Sequence, residues 1–299
     1  MSAVETQPPE SRPWITGIAA VICVVIFLGL AAEGRYESWE TLARWGHYSS
    51  NAIWSGAYWA LLTTTFVHID LLHVVFNVYW LWVLGSRCER VVGSVRFLIF
   101  FVVSAMVSSA FQLALSDTTG IGMSGVVYAI FGLMWSCRST FPQFQDVLTR
   151  RTIQLFVWWF FGCVVVTYLK IWEVGNAAHL SGALFGGAVA GYFVLRHRPR
   201  LMLCGLTTLV VLAAVPLVWC PWSPTWLAEK AFQAHSAERL EEAERLYSTL
   251  IRRNPQNAWA YINRSAVYQA LGKPAQASAD YEHAIKLNPA YLQPNAKNP

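Results

Sequence analysis

The chain has 299 residues, of which 55% are hydrophobic, 14% aromatic and only 13% charged, with a formal net charge of +5. Soluble domains carry about 25% charged residues, so the composition excludes a soluble globular protein, and equally a disordered chain or a secreted disulfide scaffold. The apolar excess, with Trp, Phe and Tyr in abundance, points to an integral membrane protein whose aromatics favour the bilayer interfaces.

A helix needs about 20 apolar residues to cross a bilayer, and the apolar stretches predict seven spans, near 14–32, 59–84, 95–115, 122–137, 152–172, 176–195 and 201–220. The fourth is short and Gly-rich. Leu30-Ala31-Ala32 at the end of the first resembles a signal-peptide cleavage site, but the leader holds Glu5 and Glu10 against a single Arg12. That is the wrong charge for a signal peptide, so the expectation is a retained anchor. Arg87, Arg90 and Arg96 follow span two, Arg138, Arg150 and Arg151 follow span four, and Arg196, Arg198 and Arg200 follow span six. The opposite loops hold only Arg35, Arg44 and Lys170. The positive-inside rule then predicts a cytoplasmic N-terminus and, after an odd number of spans, an extracytoplasmic C-terminal region.

Strongly polar groups inside spans are costly and mark function. The second predicted span holds His68, His73 and Asn77. His73 and Asn77, four residues apart, share a helix face; they read either as two donors for a developing oxyanion or as an interhelical hydrogen-bonding pair. The fourth span opens Gly122-Met123-Ser124-Gly125. Glycines around a serine at a helix N-terminus let a substrate backbone approach, and free N–H groups there suit an oxyanion. Alone the pattern is weak, because Gly and Ser also abound at membrane helix contacts. The sixth span opens Asn176-Ala177-Ala178-His179, with Gly182 and Gly186 continuing the His179 face. Ser124, Tyr128 and Gly132 align in the same way, so two small-residue faces let His179 reach the Ser124 hydroxyl and act as its base. Tyr128 stands one turn below Ser124, placed to pack on the imidazole.

The C-terminal eighty residues are far more polar and repeat at a 34-residue period: Ala243 and Ala277, Tyr247 and Tyr281, Ile251 and Ile285, Asn254-Pro255 and Asn288-Pro289. That period, with small and aromatic residues at fixed positions, resembles the tetratricopeptide repeat and implies a helical module that binds a protein or peptide. The second copy carries the fuller pattern in Ala266, Tyr268, Leu271-Gly272, Ala277, Tyr281 and Ala284, whereas the first has Glu238 where Gly272 stands. An ordinary helical hairpin is the plainer alternative.

The conjunction of Gly122-x-Ser124-Gly125-Val126-Val127-Tyr128, Ala178-His179-x-x-Gly182-x-x-x-Gly186 and His73-x-x-x-Asn77 resembles the rhomboid family of intramembrane serine proteases. Glu89-Arg90-Val91-Val92-Gly93, expected on the cytoplasmic side after span two, resembles a further family element. The resemblance covers about 50–195, and the whole chain looks like bacterial rhomboids with an added C-terminal span and tetratricopeptide repeats. It implies Ser124 as nucleophile, His179 as general base and then acid, and an oxyanion hole of the Ser124 N–H with His73 and Asn77. Gly122, Gly125, Gly182 and Tyr128 would support them, with Tyr128 replacing the third member of a triad. His68 matches a family histidine near the outer cavity, with a structural or water-binding role. One departure stands out: the family often has Trp-Arg before span two, the Arg bracing the first outer loop, and here the pair reads Trp59-Ala60.

The resulting expectation is an all-α polytopic membrane bundle: a tail at 1–13, a six-span protease core at 14–200, a seventh span at 201–220 and a helical-repeat domain at 221–299. Transmembrane protein substrates would enter from the lipid bilayer past the fifth span, where Phe156, Trp158, Trp159, Phe160 and Phe161 read as a lateral gate or as lipid-facing bulk. A bacterial inner membrane suits the Arg asymmetry. The alternative is a catalytically inactive adaptor or chaperone binding client helices; a transporter fits less well, without inverted repeats or a mid-span carboxylate. No motif calls for a metal, a nucleotide cofactor or nucleic acid. The six cysteines lack metal spacing and read as reduced structural thiols.

Overall fold

The computed structural model describes residues 12–34, 38–194 and 198–292. Glu5, Glu10, Arg35 and Arg196, used above to orient the chain, lie outside the described residues, as does most of the tail 1–13. The described residues contain helices and no strand, and they divide into two compact units at Val218 and Trp219.

The first unit opens with α1 (Trp14–Glu33), followed by three short helices, α2 (Trp39–Arg44), α3 (Ser50–Trp54) and α4 (Ala60–Thr63), the last running into a 3-10 turn at Thr64–Phe66. The second predicted span needs correction. Apolar residues run unbroken through 59–84, but the helix that crosses is α5 (Leu71–Trp80), continued through a π-helical turn at Leu81–Gly85 into α6 (Ser86–Val92). Asp70 sets its start, because the carboxylate accepts the His73 N–H at 3.0 Å and caps the first turn. His68 therefore lies in the extended segment before the helix, and Glu89 lies in its last turn instead of a loop.

Next come α7 (Ser94–Ser116), α8 (Ser124–Cys137), a 3-10 turn at Pro142–Asp146, then α9 (Arg150–Tyr168), α10 (Asn176–Val194) and α11 (Pro199–Val218). Among the described residues, six helical segments are long and apolar enough to cross a membrane. The seventh, α8, has 14 residues, about 21 Å, short of the roughly 30 Å hydrocarbon core. It is also the most enclosed helix: eleven of its residues are buried, so α8 touches protein on nearly every side and its length need not match the bilayer.

Glycine makes that enclosure possible. A Cβ at Gly132 would run into the Ala183 backbone, one at Gly182 into the Gly125 carbonyl, and one at Gly186 into the Ala129 carbonyl. The α8 and α10 backbones thus lie in direct contact along a small-residue seam. Elsewhere, Glu89 is fully buried and accepts the N–H groups of Ile15 and Thr16 and the hydroxyls of Thr16 and Ser94, at 2.7–3.0 Å. Its carboxylate caps the N-terminus of α1 across the bundle, where orphan donors and the positive dipole end want an anion. On the other flank Trp54 is buried and donates its indole N–H to the Pro216 carbonyl of α11 at 3.0 Å. That bond anchors the connection between α1 and α5, where Ala60 leaves it without an arginine. All six cysteines are free.

The second unit holds α12 (Pro224–Ser236), α13 (Leu240–Arg253), α14 (Ala258–Ala270) and α15 (Pro274–Leu287), paired as two helical hairpins. Gly272 turns the second hairpin at φ 71°, and Glu238 adopts the same left-handed conformation, φ 57°, in the first. The two copies differ in burial: Tyr247 is enclosed, while Tyr281 of α15 is exposed. Arg264 of α14 forks both Asp280 oxygens of α15, at 2.7 and 2.8 Å, and donates to Ser248 of α13 at 2.9 Å, tying three helices. Burial alone would lower its pKa, but the Asp280 carboxylate outweighs that and raises it.

Candidate active site

Ser124 is the first residue of α8, and His179 sits in the first turn of α10. The seam between these helices brings His179 Nε2 to 2.8 Å from Ser124 Oγ. His179 is buried, and its Nδ1 meets no partner. When the serine hydroxyl donates to Nε2, the ring proton resides on Nδ1, so no carboxylate orients this imidazole. Tyr128 does so by packing: its ring stacks on His179 at 4.5 Å between centroids and 24° between planes. The Tyr128 hydroxyl donates to the Phe156 carbonyl of α9 at 3.1 Å, which holds the phenol in place.

The segment entering α8 is unusual backbone. Asp117, Gly120 and Gly122 all have positive φ, at 57°, 67° and 100°. A Cβ at Gly122 would lie 2.7 Å from the His73 imidazole, so only glycine fits both the conformation and the space. Gly125, one residue past the serine, faces Ser108 of α7 at a distance that likewise excludes a side chain. His68 is fully buried; its Nδ1 lies 3.1 Å from the Phe66 carbonyl and its Nε2 accepts the Met123 N–H at 3.3 Å. The tautomer follows: the proton is on Nδ1, and His68 serves the backbone beside the serine. The His73 ring stands edge-on to His68 at 4.9 Å. Asn77 donates one amide hydrogen to the His73 carbonyl at 2.9 Å, which leaves its second for a ligand. Ser124, His179, Tyr128, His73, His68 and Gly122 thus gather at one end of α8, while Gly125 and Gly182 set the helix spacing and Asn77 stands one turn beyond His73 on α5.

Sequence reasoning passed over Gln112. Its side-chain carbonyl accepts the Ala178 N–H at 3.0 Å and its amide donates to Ser116 at 2.6 Å, so it caps the start of the helix that bears His179. A glutamine late in an apolar span was a readable signal by the rule applied to His73. The aromatic run of α9 divides: Phe156 turns inward against Phe131 and Trp80, while Trp158 and Phe161 face outward. Only Phe156 and Cys163 of α9 are buried, so most of this helix faces away from the rest of the unit. A cavity of about 140 Å³ lies between α1 and the segment entering α5, lined by Phe27, Leu30, His68 and Asp70 among others, and includes neither Ser124 nor His179. Among the described residues no three His, Cys, Asp or Glu side chains converge as metal ligands would.

Comparison with known proteins covers the same ground. Residues 55–197 match the rhomboid domain family model, and 258–291 match a tetratricopeptide repeat; the first hairpin is not part of that match. Rhomboid protease GlpG of Salmonella choleraesuis is 30% identical over 189 residues, 62% of this chain and 65% of that one. The protein of the same name from Yersinia pseudotuberculosis is 30% identical over 187 residues, covering 62% and 64%, so this chain spans just under two-thirds of the length of these relatives. Residues 55–197 thus carry a rhomboid domain, and a tetratricopeptide repeat follows at 258–291.

Proposed function

We propose that this protein is an intramembrane serine endopeptidase that cleaves transmembrane helices by a Ser124–His179 dyad. The observation that carries the reading is the 2.8 Å contact between Ser124 Oγ and a buried imidazole that makes no other hydrogen bond. His179 Nε2 takes the hydroxyl proton as Oγ attacks the scissile carbonyl carbon. The tetrahedral oxyanion is met by the Ser124 N–H, which lies in the first turn of α8 and lacks an intrahelical acceptor, by the free Asn77 amide hydrogen and by His73. Collapse breaks the peptide C–N bond, and the departing amine takes the proton from His179. Water then attacks the acyl-serine, passing its proton to His179, which returns it to Ser124. In both steps the imidazolium is stabilised by the face of Tyr128, an aromatic–cation contact of about 1–2 kcal/mol when desolvated. The substrate helix enters past α9, whose aromatic run is exposed apart from Phe156 and the partly covered Phe160.

The N-terminus is cytoplasmic and the repeats extracytoplasmic in this reading, as the arginine bias implies, in a bacterial inner membrane. The repeats select substrates or dock a protein partner.

The test is cleavage of a labelled transmembrane substrate by the purified protein in liposomes, with Ser124→Ala and His179→Ala alongside. Cleavage by the wild type alone is expected, together with fluorophosphonate labelling of Ser124. A wild type that neither cleaves nor labels overturns the protease reading in favour of a client-binding adaptor.

A further inference from the structure

We propose that His47, in the connection between α1 and α5 and ahead of the stretch that matches the family, is a positioning residue for Ser124, acting through Thr64 on the segment Asp117–Met123. The consequence for catalysis rests on the serine-protease reading; the clamp itself does not.

Gly120 and Gly122 give that segment much conformational freedom to lose, and Asp117 adds a left-handed non-glycine residue, so contacts from outside must hold it. Thr64, almost fully buried, takes it at two points: its hydroxyl lies 2.7 Å from the Gly120 carbonyl, and its own carbonyl accepts the Gly122 N–H at 3.2 Å. His47 Nδ1 lies 2.7 Å from the same Thr64 hydroxyl. The protons can be assigned by elimination. A carbonyl has none to give, so the single Thr64 proton points at Gly120. His47 Nδ1 must then carry a proton and donate to Thr64 Oγ1. The result is a directed chain, Nδ1–H to Oγ1–H to O=C, in which the imidazole decides where the hydroxyl points. Thr119 Oγ1, 3.4 Å from Thr64 Oγ1 and 3.1 Å from the Gly120 carbonyl, lies in the same cluster.

His47 is itself fixed. It is buried, its ring stacks on Trp39 at 5.4 Å, and the neighbouring Gly46 carbonyl accepts the Thr63 hydroxyl at 2.5 Å. Ser50, three residues on, donates to the Asp117 carbonyl at 2.7 Å. The connection between α1 and α5 thus grips the segment at its start and at its middle, and Ser124 follows directly.

The experiment compares full-length wild type with His47→Leu, His47→Asn, Thr64→Val and the double variant His47→Leu/Thr64→Val. An asparagine amide reaches the Nδ1 position and restores a donor; leucine does not. Hydrogen exchange in 117–123 should quicken about tenfold in His47→Leu and stay near wild type in His47→Asn, with α7 and α10 unchanged. On a labelled transmembrane substrate, His47→Leu should lower kcat about tenfold at nearly constant KM, with His47→Asn within about threefold of wild type. The double variant should be no slower than Thr64→Val, since both changes break one chain. Unaltered exchange in His47→Leu, failure of His47→Asn to restore protection, or multiplying effects in the double variant would each overturn the proposal. If the wild type proves inert while His47→Leu alone loses protection, the clamp stands and the protease reading falls.

Discussion

Replacing Gly182 by alanine tests the link between helix spacing and chemistry. A Cβ there would lie 3.1 Å from the Gly125 carbonyl carbon, 3.4 Å from Ala129 N and closer still to the Gly125 oxygen. All three are backbone atoms, so no side chain can rotate away, and α10 must withdraw by about 1 Å to restore ordinary contact. His179 rides one turn above Gly182, and its 2.8 Å bond to Ser124 would open past the roughly 3.5 Å at which a hydrogen bond is lost. Overpacking of this kind costs about 1–3 kcal/mol of stability, while a 1 Å misplacement of reacting groups costs about 100-fold in rate. The two effects separate in one assay: the fluorophosphonate labelling rate of folded protein in detergent, measured beside its thermal midpoint. Gly162→Ala on α9 is the control, because nothing lies within 4 Å of a Cβ there. Wild-type labelling by Gly182→Ala, or a loss no larger than the unfolded fraction accounts for, would refute the reasoning.

Three further substitutions probe other parts of the molecule. Trp159→Ala removes the contact between α9 and Phe76 of α5, 5.0 Å between ring centroids; an aromatic pair is worth about 1 kcal/mol, so substrate cleavage should quicken about fivefold, and an unchanged rate would count against entry past α9. Glu89→Gln leaves four donors, the two from Thr16 in fully buried bonds, facing an amide, and the thermal midpoint in detergent should fall by the equivalent of about 3 kcal/mol; an unaltered midpoint would show that α1 needs no cap. Glu238→Gly relieves a left-handed non-glycine residue and should slow hydrogen exchange in 224–253 by the equivalent of about 1 kcal/mol. Faster exchange there would mean that the side chain does something the turn requires.

Local patterns announced much of this architecture. Length and hydropathy placed the membrane helices, the 34-residue period announced the hairpins, and the glycine spacing of α8 and α10 implied close packing. Two kinds of information were not local. The break before Leu71 is invisible to hydropathy, because Val67, Ile69, Leu71 and Leu72 are as apolar as the helices around them; one aspartate at position 70 decides it by capping. The contacts of Glu89, a residue the motif did mark, and those of His47 were illegible for another reason. Their partners lie at Ile15, Thr16, Thr64 and, through it, Gly120, and neither periodicity nor motif spacing reports a hydrogen bond between distant segments. Gln112 was legible in kind, as a polar group in an apolar span, but its acceptor role at Ala178 required the fold.

The two caps described above also say where this molecule can be cut. The stretch that matches the rhomboid domain, 55–197, omits both α1 and α11. Yet Glu89 inside that stretch makes its hydrogen bonds to α1, and Trp54 just ahead of it makes its own to Pro216 of α11. Trimming to the matched boundaries would strand a buried carboxylate with one remaining donor, Ser94, at about 1–3 kcal/mol for each lost partner. Shortening the chain at 197 but keeping Trp54 would orphan a buried indole N–H. The stretch that matches the family model is therefore smaller than the unit that folds, and truncations meant to isolate the first unit should run from α1 through Val218.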